Sequence, residues 1–444
     1  MAMPAEPTLA PTADSERIHA LDLVRGVALL GILFVNIQVF GETFGSFTLP
    51  HPEPEQGLWG AVSFYFVAVF CAGKFYTLFS MLFGIGLAIQ WTRAKERGRG
   101  YTPFGARRML ALMAIGLLHG LLIWYGDILF AYSLFGLLTL PFLRARPATL
   151  IAISMSVLFV ATLVSGVFTM LTMFNPPKPT DPALVNTLLN PDLPPFQRFL
   201  QAYEATDYKI PPSDPLWTLP ETEAMRDGPY SQAFAFRAMS FGFIMIIVLV
   251  GMGWTIWSMF LLGVALYKSG AFTTERLGLH RRFATLCLPT GLAMVAASTY
   301  LMSKPDKSMP ELGLAVVLAM PGSVLMSLGY LGSIVLFAHS RALHGVKAAI
   351  ARVGRMGLTN YLLESGLATF FFYHWGLGFF GQTTRIERMG LVLAIYLLLI
   401  GFSALWLRHF RFGPMEWLWR TLTYLRPQPM LRGEGKAGTQ VADL

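Results

Sequence analysis

Charged side chains are scarce in this 444-residue chain: they make up 13% of it against 54% hydrophobic residues, with a mean hydropathy of +0.54. A soluble domain carries about a quarter charged residues, so an ordinary globular protein is excluded. Cysteine is scarcer still. Cys71 and Cys287 each lie in an apolar run, which leaves no disulfide framework and no Cys/His metal spacing. P-loop, GxSxG and HExxH patterns are also missing, and with them the signatures of the common soluble NTPases, hydrolases and zinc peptidases. The net charge of +9 does not point to nucleic acid, because the basic residues sit in short loops between apolar runs.

What the chain has in quantity is long, continuous apolar runs, several of them reaching the ~20 residues that span a bilayer. Continuous rather than alternating runs exclude an outer-membrane barrel. The expected fold is all-α, a polytopic membrane bundle with the lipid bilayer as its first partner. Ten spans are predicted near 22–40, 61–91, 107–124, 127–143, 148–173, 238–267, 283–302, 311–337, 356–380 and 387–407. Threaded with an inside N-terminus, the inner segments collect 23 Lys and Arg and the outer ones nine. Both termini are therefore expected in the cytoplasm. The predicted organisation is a disordered tail (1–16), five spans (17–173), an outer loop (174–237), five more spans (238–407), and a cytoplasmic interfacial helix with a disordered tail (408–444). The first run is too long and too polar for a signal-peptide core and is expected to stay as a helix.

That run, RIHALDLVRGVALLGILFVNIQVFGE (17–42), carries Asp22, Arg25 and Asn36. At 100° per residue, Arg25 and Asn36 fall within about 20° of each other and Asp22 lies about 40° from Asn36. Polar groups in hydrocarbon are expensive and face a bundle interior or wet cavity, so the stripe is a candidate site. Arg25 and Asp22 can instead mark the cytoplasmic end and snorkel. Lys74 falls midway along the second span, where it can pair with a carboxylate, hold a phosphate or snorkel. Gly84 and Gly86 follow as points of close helix approach.

Spans three and four join almost without a loop in IGLLHGLLIWYGDILFAYSLFG, so they must be antiparallel neighbours. His119 and Asp127 then meet at one depth, where a carboxylate-oriented histidine serves as a general base. The bland alternative is that Asp127 caps a helix and His119 bonds a carbonyl. In the outer loop, Phe196, Phe199, Leu200 and Tyr203 share one face of a short amphipathic helix, a lid or an inert connector. Pro321-Gly322-Ser323 is the clearest expected helix break. Asn360 and Glu364 share a face of span nine, and Lys74 or Arg25 is the natural partner for that carboxylate. Trp417 and Trp419 are expected at the headgroups beside Arg420. Paired broken helices of the kind seen in transporters are not evident.

The runs LDLVRGVALLGILFVNI (21–37), KFYTLFSMLFGIGL (74–87), IGLLHGLLIWYGDILFAY (115–132), GRMGLTNYLLESG (354–366) and GPMEWLWR (413–420) resemble, in order and nearly end to end, the YeiB-like family of bacterial inner-membrane proteins, domain of unknown function 418. The resemblance implies a multi-pass inner-membrane protein and assigns no activity. The first span is also similar to that of transmembrane acyltransferases of the heparan-glucosaminide N-acetyltransferase type, which begin with Arg, ten residues, then Asn or His. Arg25 and Asn36 reproduce the Asn form. This second likeness implies an acyl-CoA donor entering from the cytoplasm and a glycan or lipid acceptor at the outer face, with no tightly bound cofactor. Asn36 cannot accept a proton, so it is assigned to the acyl carbonyl. The base is expected to be His119 with Asp127, or His51 in the outer loop, with Arg25 and Lys74 on the donor. A secondary transporter with a relay of Arg25, Lys74 and Glu364, or a non-catalytic sensor, is the rival reading.

Overall fold

The computed structural model describes residues 19–45, 57–98, 100–174, 180–304 and 308–432. The expected terminal tails lie largely outside them. The described residues are mostly helical, and eight helices among them are long and apolar enough to cross a membrane. In order these are α1 (His19–Phe40), α2 (Gly57–Phe66) continuing through one π turn into α3 (Phe75–Glu96), α4 (Thr102–Leu122), and, after the short α5 (Leu129–Thr139), α6 (Pro147–Phe174). Three small helices follow: α7 (Pro182–Leu188), α8 (Pro195–Ala205) and α9 (Pro215–Arg226). The second half runs α10 (Tyr230–Ile247) through a π turn into α11 (Gly253–Lys268), then α12 (Leu277–Arg282) into α13 (Leu288–Ser303), and α14 (Met309–His339). It ends with the amphipathic α15 (His344–Arg355), α16 (Gly357–Phe372), α17 (Arg385–His409) and α18 (Pro414–Tyr424). The short α5 and α16 occupy the predicted fourth and ninth spans. The protein is a multi-pass membrane helix bundle.

Its surface confirms the solvent. Phe159, Val160, Ile246, Leu397 and Leu398 point outward, each more than half exposed. Inside, small polar groups pair across helices, as in the Ser80–Tyr132 contact at 2.7 Å and the Ser154–Ser258 contact at 3.0 Å. Close helix approach is set by glycine. A Cβ on Gly84 would stand 2.1 Å from the Phe260 carbonyl oxygen, and one on Gly263 would stand 2.1 Å from that of Met81, so α3 and α11 touch backbone to backbone. Gly86 differs from the expectation. Nothing lies within 4 Å of where its Cβ would be, and it opens onto a cavity instead.

The broken helix is the second span, not the eighth. α14 runs unbroken through Pro321, with Gly322 and Gly291 letting α13 come close enough to pack the kink-prone turn. The real break is at Ala72, which is extended, and Gly73, at φ +82°, a backbone region that suits glycine alone. Helix breaks in a bilayer leave carbonyls needing donors. Lys74 fills that need: its Nζ donates to the Ala68 carbonyl at 2.7 Å while the side chain is buried, and its own carbonyl accepts from Ser327 Oγ.

One end of the bundle is basic, built from the start of α1, the end of α3, the start of α4, and α15 and α18. The other end is capped by α7 to α9, which pack onto the end of α1 and the tip of the α4–α5 hairpin. Phe199 is fully buried against Trp217 and Phe236, whereas Leu200, expected on the same apolar face, points outward. Glu221 of α9 pins this cap to the bundle by accepting the Phe44 N–H. Burial pushes the Glu221 carboxyl up to about 8.

Two outcomes follow. Gly84→Ala should lower the thermal midpoint of detergent-purified protein by several degrees, since overpacking of this kind costs about 1–3 kcal/mol; Gly86→Ala should leave it within a degree or two. The Glu221 carboxyl is neutral when folded but ionises near pH 4.5 when unfolded, so its contribution to stability falls as pH rises from about 4.5 to about 8 and is flat beyond. Glu221→Gln should flatten the midpoint-versus-pH curve across that window, and an unchanged slope would contradict the assignment.

Candidate functional site

The basic end encloses a cavity of about 310 Å³ between α1, α3, α4, α16 and α18. That is at the lower end of the ~300–1,000 Å³ of ligand sites. Five arginines line it, Arg25, Arg93, Arg108, Arg355 and Arg420, against the carboxylates of Asp22 and Glu416. Several of these charges are held by protein groups. Arg25 pairs with Asp22 at 2.9 Å, one turn earlier on α1. The Arg108 guanidinium lies 3.5 Å above the Trp419 ring, whose Nε1 donates to the Arg108 carbonyl. Arg355 donates to the Arg411 carbonyl. Glu416 caps the start of α16, accepting the N–H groups of Leu358 and Thr359 and the Thr359 hydroxyl. Burial raises its pKa, and those hydrogen bonds act the other way. With Glu416 engaged on a helix start and Asp22 on Arg25, the pocket keeps a clear positive excess. Trp419, expected among headgroups, is therefore a wall of this pocket.

Phe79, Ile128, Tyr132 and Tyr361 also line the cavity. Immediately behind Tyr361 lies the hairpin pair. His119 Nδ1 is 2.8 Å from Asp127 Oδ2, both side chains being buried, and the Tyr361 ring centre is 5.3 Å from that of His119. Asp127 performs both of the roles that its sequence position allowed. Oδ2 meets the histidine, and Oδ1 accepts the Phe130 N–H at 2.7 Å, capping the start of α5. Gly116 makes this possible, because a Cβ there would stand 2.4 Å from the Phe130 nitrogen and 2.7 Å from Asp127 Oδ1. With Nδ1 facing the carboxylate, a neutral His119 carries its proton on Nδ1 and its lone pair on Nε2. Nε2 is buried and has no hydrogen-bond partner among the described residues. The arrangement is that of an oriented base whose working nitrogen is unoccupied by protein.

The remaining sequence candidates disperse. Asn36 lies half-buried toward the capped end of α1, away from Asp22 and Arg25. Lys74 faces α14 at the helix break and lines no part of the cavity. Asn360 ties α16 to its neighbours, donating to the Val353 carbonyl and to Ser403 Oγ, both at 2.9 Å. Glu364, one turn on, is buried without the cationic partner expected of it, since Arg25 holds Asp22 and Lys74 holds a carbonyl. Its Oε1 has no hydrogen-bond partner among the described residues. His51 lies outside the described residues. Among those described, no group of three metal-ligating side chains occurs.

Sequence reasoning missed Tyr361, Arg93, Arg108 and Arg355 as parts of one pocket, and passed over Glu416. Their only sequence signal was basic charge beside span ends, which the topology rule alone already explains.

Comparison with known proteins supplies the family. The model for "Protein of unknown function (DUF418)" matches residues 266–426. The chain is 31% identical over 443 residues to the uncharacterized protein YxaH of Bacillus subtilis, covering 96% of this chain and 98% of that one. It is 30% identical over 433 residues to the uncharacterized protein YeiB of Escherichia coli, covering 94% and 98%. Identity of 30% or more over nearly the whole of both chains shows the family: the chain belongs to the YeiB-like DUF418 family of membrane proteins.

Proposed function

We propose that this protein is a membrane-embedded acyltransferase that takes an acyl group from acyl-CoA at the basic end and passes it to a hydroxyl or amine acceptor reaching His119 from the capped end. The observation that carries the reading is the unpartnered Nε2 of a carboxylate-oriented histidine, buried directly behind the inner wall of an arginine-lined cavity. By the distribution of Lys and Arg the basic end faces the cytoplasm, where the donor is made. The arginine excess suits the donor's phosphates through charge-assisted hydrogen bonds, and the apolar lining residues, Leu21, Leu29, Leu82 and Leu112 among them, suit its acyl-bearing arm.

The chemistry balances on these residues. His119 Nε2 takes the acceptor proton as the acceptor oxygen or nitrogen bonds to the thioester carbonyl carbon. Asp127 steadies the imidazolium that forms. The carbon–sulfur bond breaks, and the imidazolium returns the proton to the departing CoA thiolate. Tyr361 stands between donor cavity and base, so a side-chain rotation there is needed for the thioester to meet Nε2. Asn36, half-buried on α1 toward the acceptor side, is assigned to the acyl carbonyl as a hydrogen-bond donor. A transporter using Arg25, Lys74 and Glu364 as a relay finds less support, because the first two are each satisfied locally and on different faces.

Purified protein in detergent, given acetyl-, octanoyl- and palmitoyl-CoA, should bind at least one and release free thiol. His119→Asn should cut thiol release at least a hundredfold while leaving CoA binding in place. Arg108→Gln should weaken CoA binding several-fold with a smaller effect on the rate at saturation. Absence of binding at every chain length sinks the proposal, as does full turnover in the His119 variant.

A further inference from the structure

Arg237, two turns into α10, is an arginine with no exposed surface. One nitrogen anchors it. Nη1 donates to the Leu122 carbonyl at 2.6 Å and the Leu121 carbonyl at 3.3 Å, where α4 ends, and lies 3.2 Å from the Tyr230 hydroxyl. Two aromatic rings stand beside the guanidinium, Tyr230 at 5.1 Å and Tyr373 at 5.9 Å. The remaining edge is different. Nε and Nη2 are buried and have no hydrogen-bond partner among the described residues. Those two nitrogens form the side of the guanidinium that meets two oxygens of one carboxylate or phosphate.

Leaving charged donors buried and unmet costs more than leaving a neutral group so. The surroundings share the same deficit. Ser240 Oγ, one turn along α10, and the hydroxyls of Tyr373 and Tyr125 are buried and unpartnered too. Tyr373 stands within the field of both Arg237 and Glu221, and Tyr125 within that of Glu221 and Tyr373, so the groups belong to one neighbourhood. The carboxylate present does not fill the need. Glu221 is engaged with the Phe44 N–H and is held neutral by burial up to about pH 8. His374, beside Tyr230, is pushed toward its neutral form by burial and by Arg237 itself.

We infer that the capped end of the bundle contains an oxyanion subsite, built on the Nε–Nη2 edge of Arg237 with Ser240, Tyr373 and Tyr125 around it, which binds a phosphate or carboxylate group of a ligand. The subsite stands on its own geometry and does not require acyl transfer. Its anchor at Leu122 is three residues beyond His119, a rise of about 4.5 Å along α4. An anion held there sits close to the depth of the histidine pair but on the opposite side from the arginine cavity.

The chemistry is shared by a phospholipid headgroup and by a free anion, and two probes separate them. Purified protein is titrated with inorganic phosphate and with dihexanoyl-phosphatidylglycerol below its micelle concentration, following the thermal midpoint and tryptophan fluorescence. The wild type should respond saturably to at least one probe. A response to both means that a small free oxyanion is enough, and a response to the lipid alone assigns the headgroup. Arg237→Gln should weaken the response at least tenfold, and Tyr373→Phe several-fold. If Arg237→Gln does not fold, Tyr373→Phe and Ser240→Ala carry the test. Wild-type protein that responds to neither probe, or folded variants that respond as the wild type does, overturn the inference.

Discussion

Asp127 has two carboxylate oxygens, and the tip of the α4–α5 hairpin uses both. One caps the new helix through the Phe130 N–H and the other holds His119. Six residues, 123–128, join the two helices, and across that turn the cap and the histidine contact tie the start of α5 to the last turn of α4. Gly116 leaves room for that approach and no more. Because the hairpin tip is also the floor under the cap of α7 to α9, and Tyr361 rests against it from the cavity side, this one carboxylate separates the two ends of the bundle. A structure that needed only a cap could have used serine or asparagine. The second carboxylate oxygen is what orients the histidine.

The same economy of partners runs through the bundle. Hydrocarbon offers no hydrogen bonds, so each polar group inside must be met by protein or by a ligand. Lys74 is met by the carbonyl that its own helix break exposes, Asn360 by α15 and α17, and Arg388 by Glu42, the Gln38 carbonyl and the Thr383 backbone. These are structural staples, spent on joining helices. His119 Nε2 and the Arg237 edge are the contrasting kind: held firmly on one side, with nothing from the described protein on the other. The cavity arginines form a third kind: Arg25, Arg108, Arg355 and Arg420 are restrained by protein groups while the set as a whole keeps its positive excess. That sorting, rather than the presence of charge in a span, separates candidate chemistry from architecture.

Much was legible from residues alone. Hydropathy located the eight long apolar helices, since length and apolarity are local properties, while the fourth and ninth of the ten expected spans are only the short α5 and α16. The histidine pair was legible because a short connection makes the two helices neighbours, although α4 ends at Leu122 and α5 starts at Leu129, so the turn is six residues long rather than almost absent. Other expectations failed for reasons that are equally physical. Pro321 signalled a break, but a proline kink depends on whether neighbours can pack the turn, and Gly291 with Gly322 lets them do so. Lys74 and Glu364 looked like partners because both are charged and mid-span. Which face of a bundle each helix presents is decided by its neighbours, and theirs point elsewhere.

The sequence by itself determined the solvent, the helical class, the approximate crossings and the hairpin contact, because each follows from composition or from chain connectivity over a few residues. Only tertiary structure decided that five arginines scattered from residue 25 to residue 420 line one cavity, that Trp419 walls it, and that Tyr361 stands between it and His119. Those residues are hundreds of positions apart, and nothing in their local pattern distinguishes a cavity wall from a charge kept at the membrane edge. Helix packing brings them together, and packing is a property of all the helices at once.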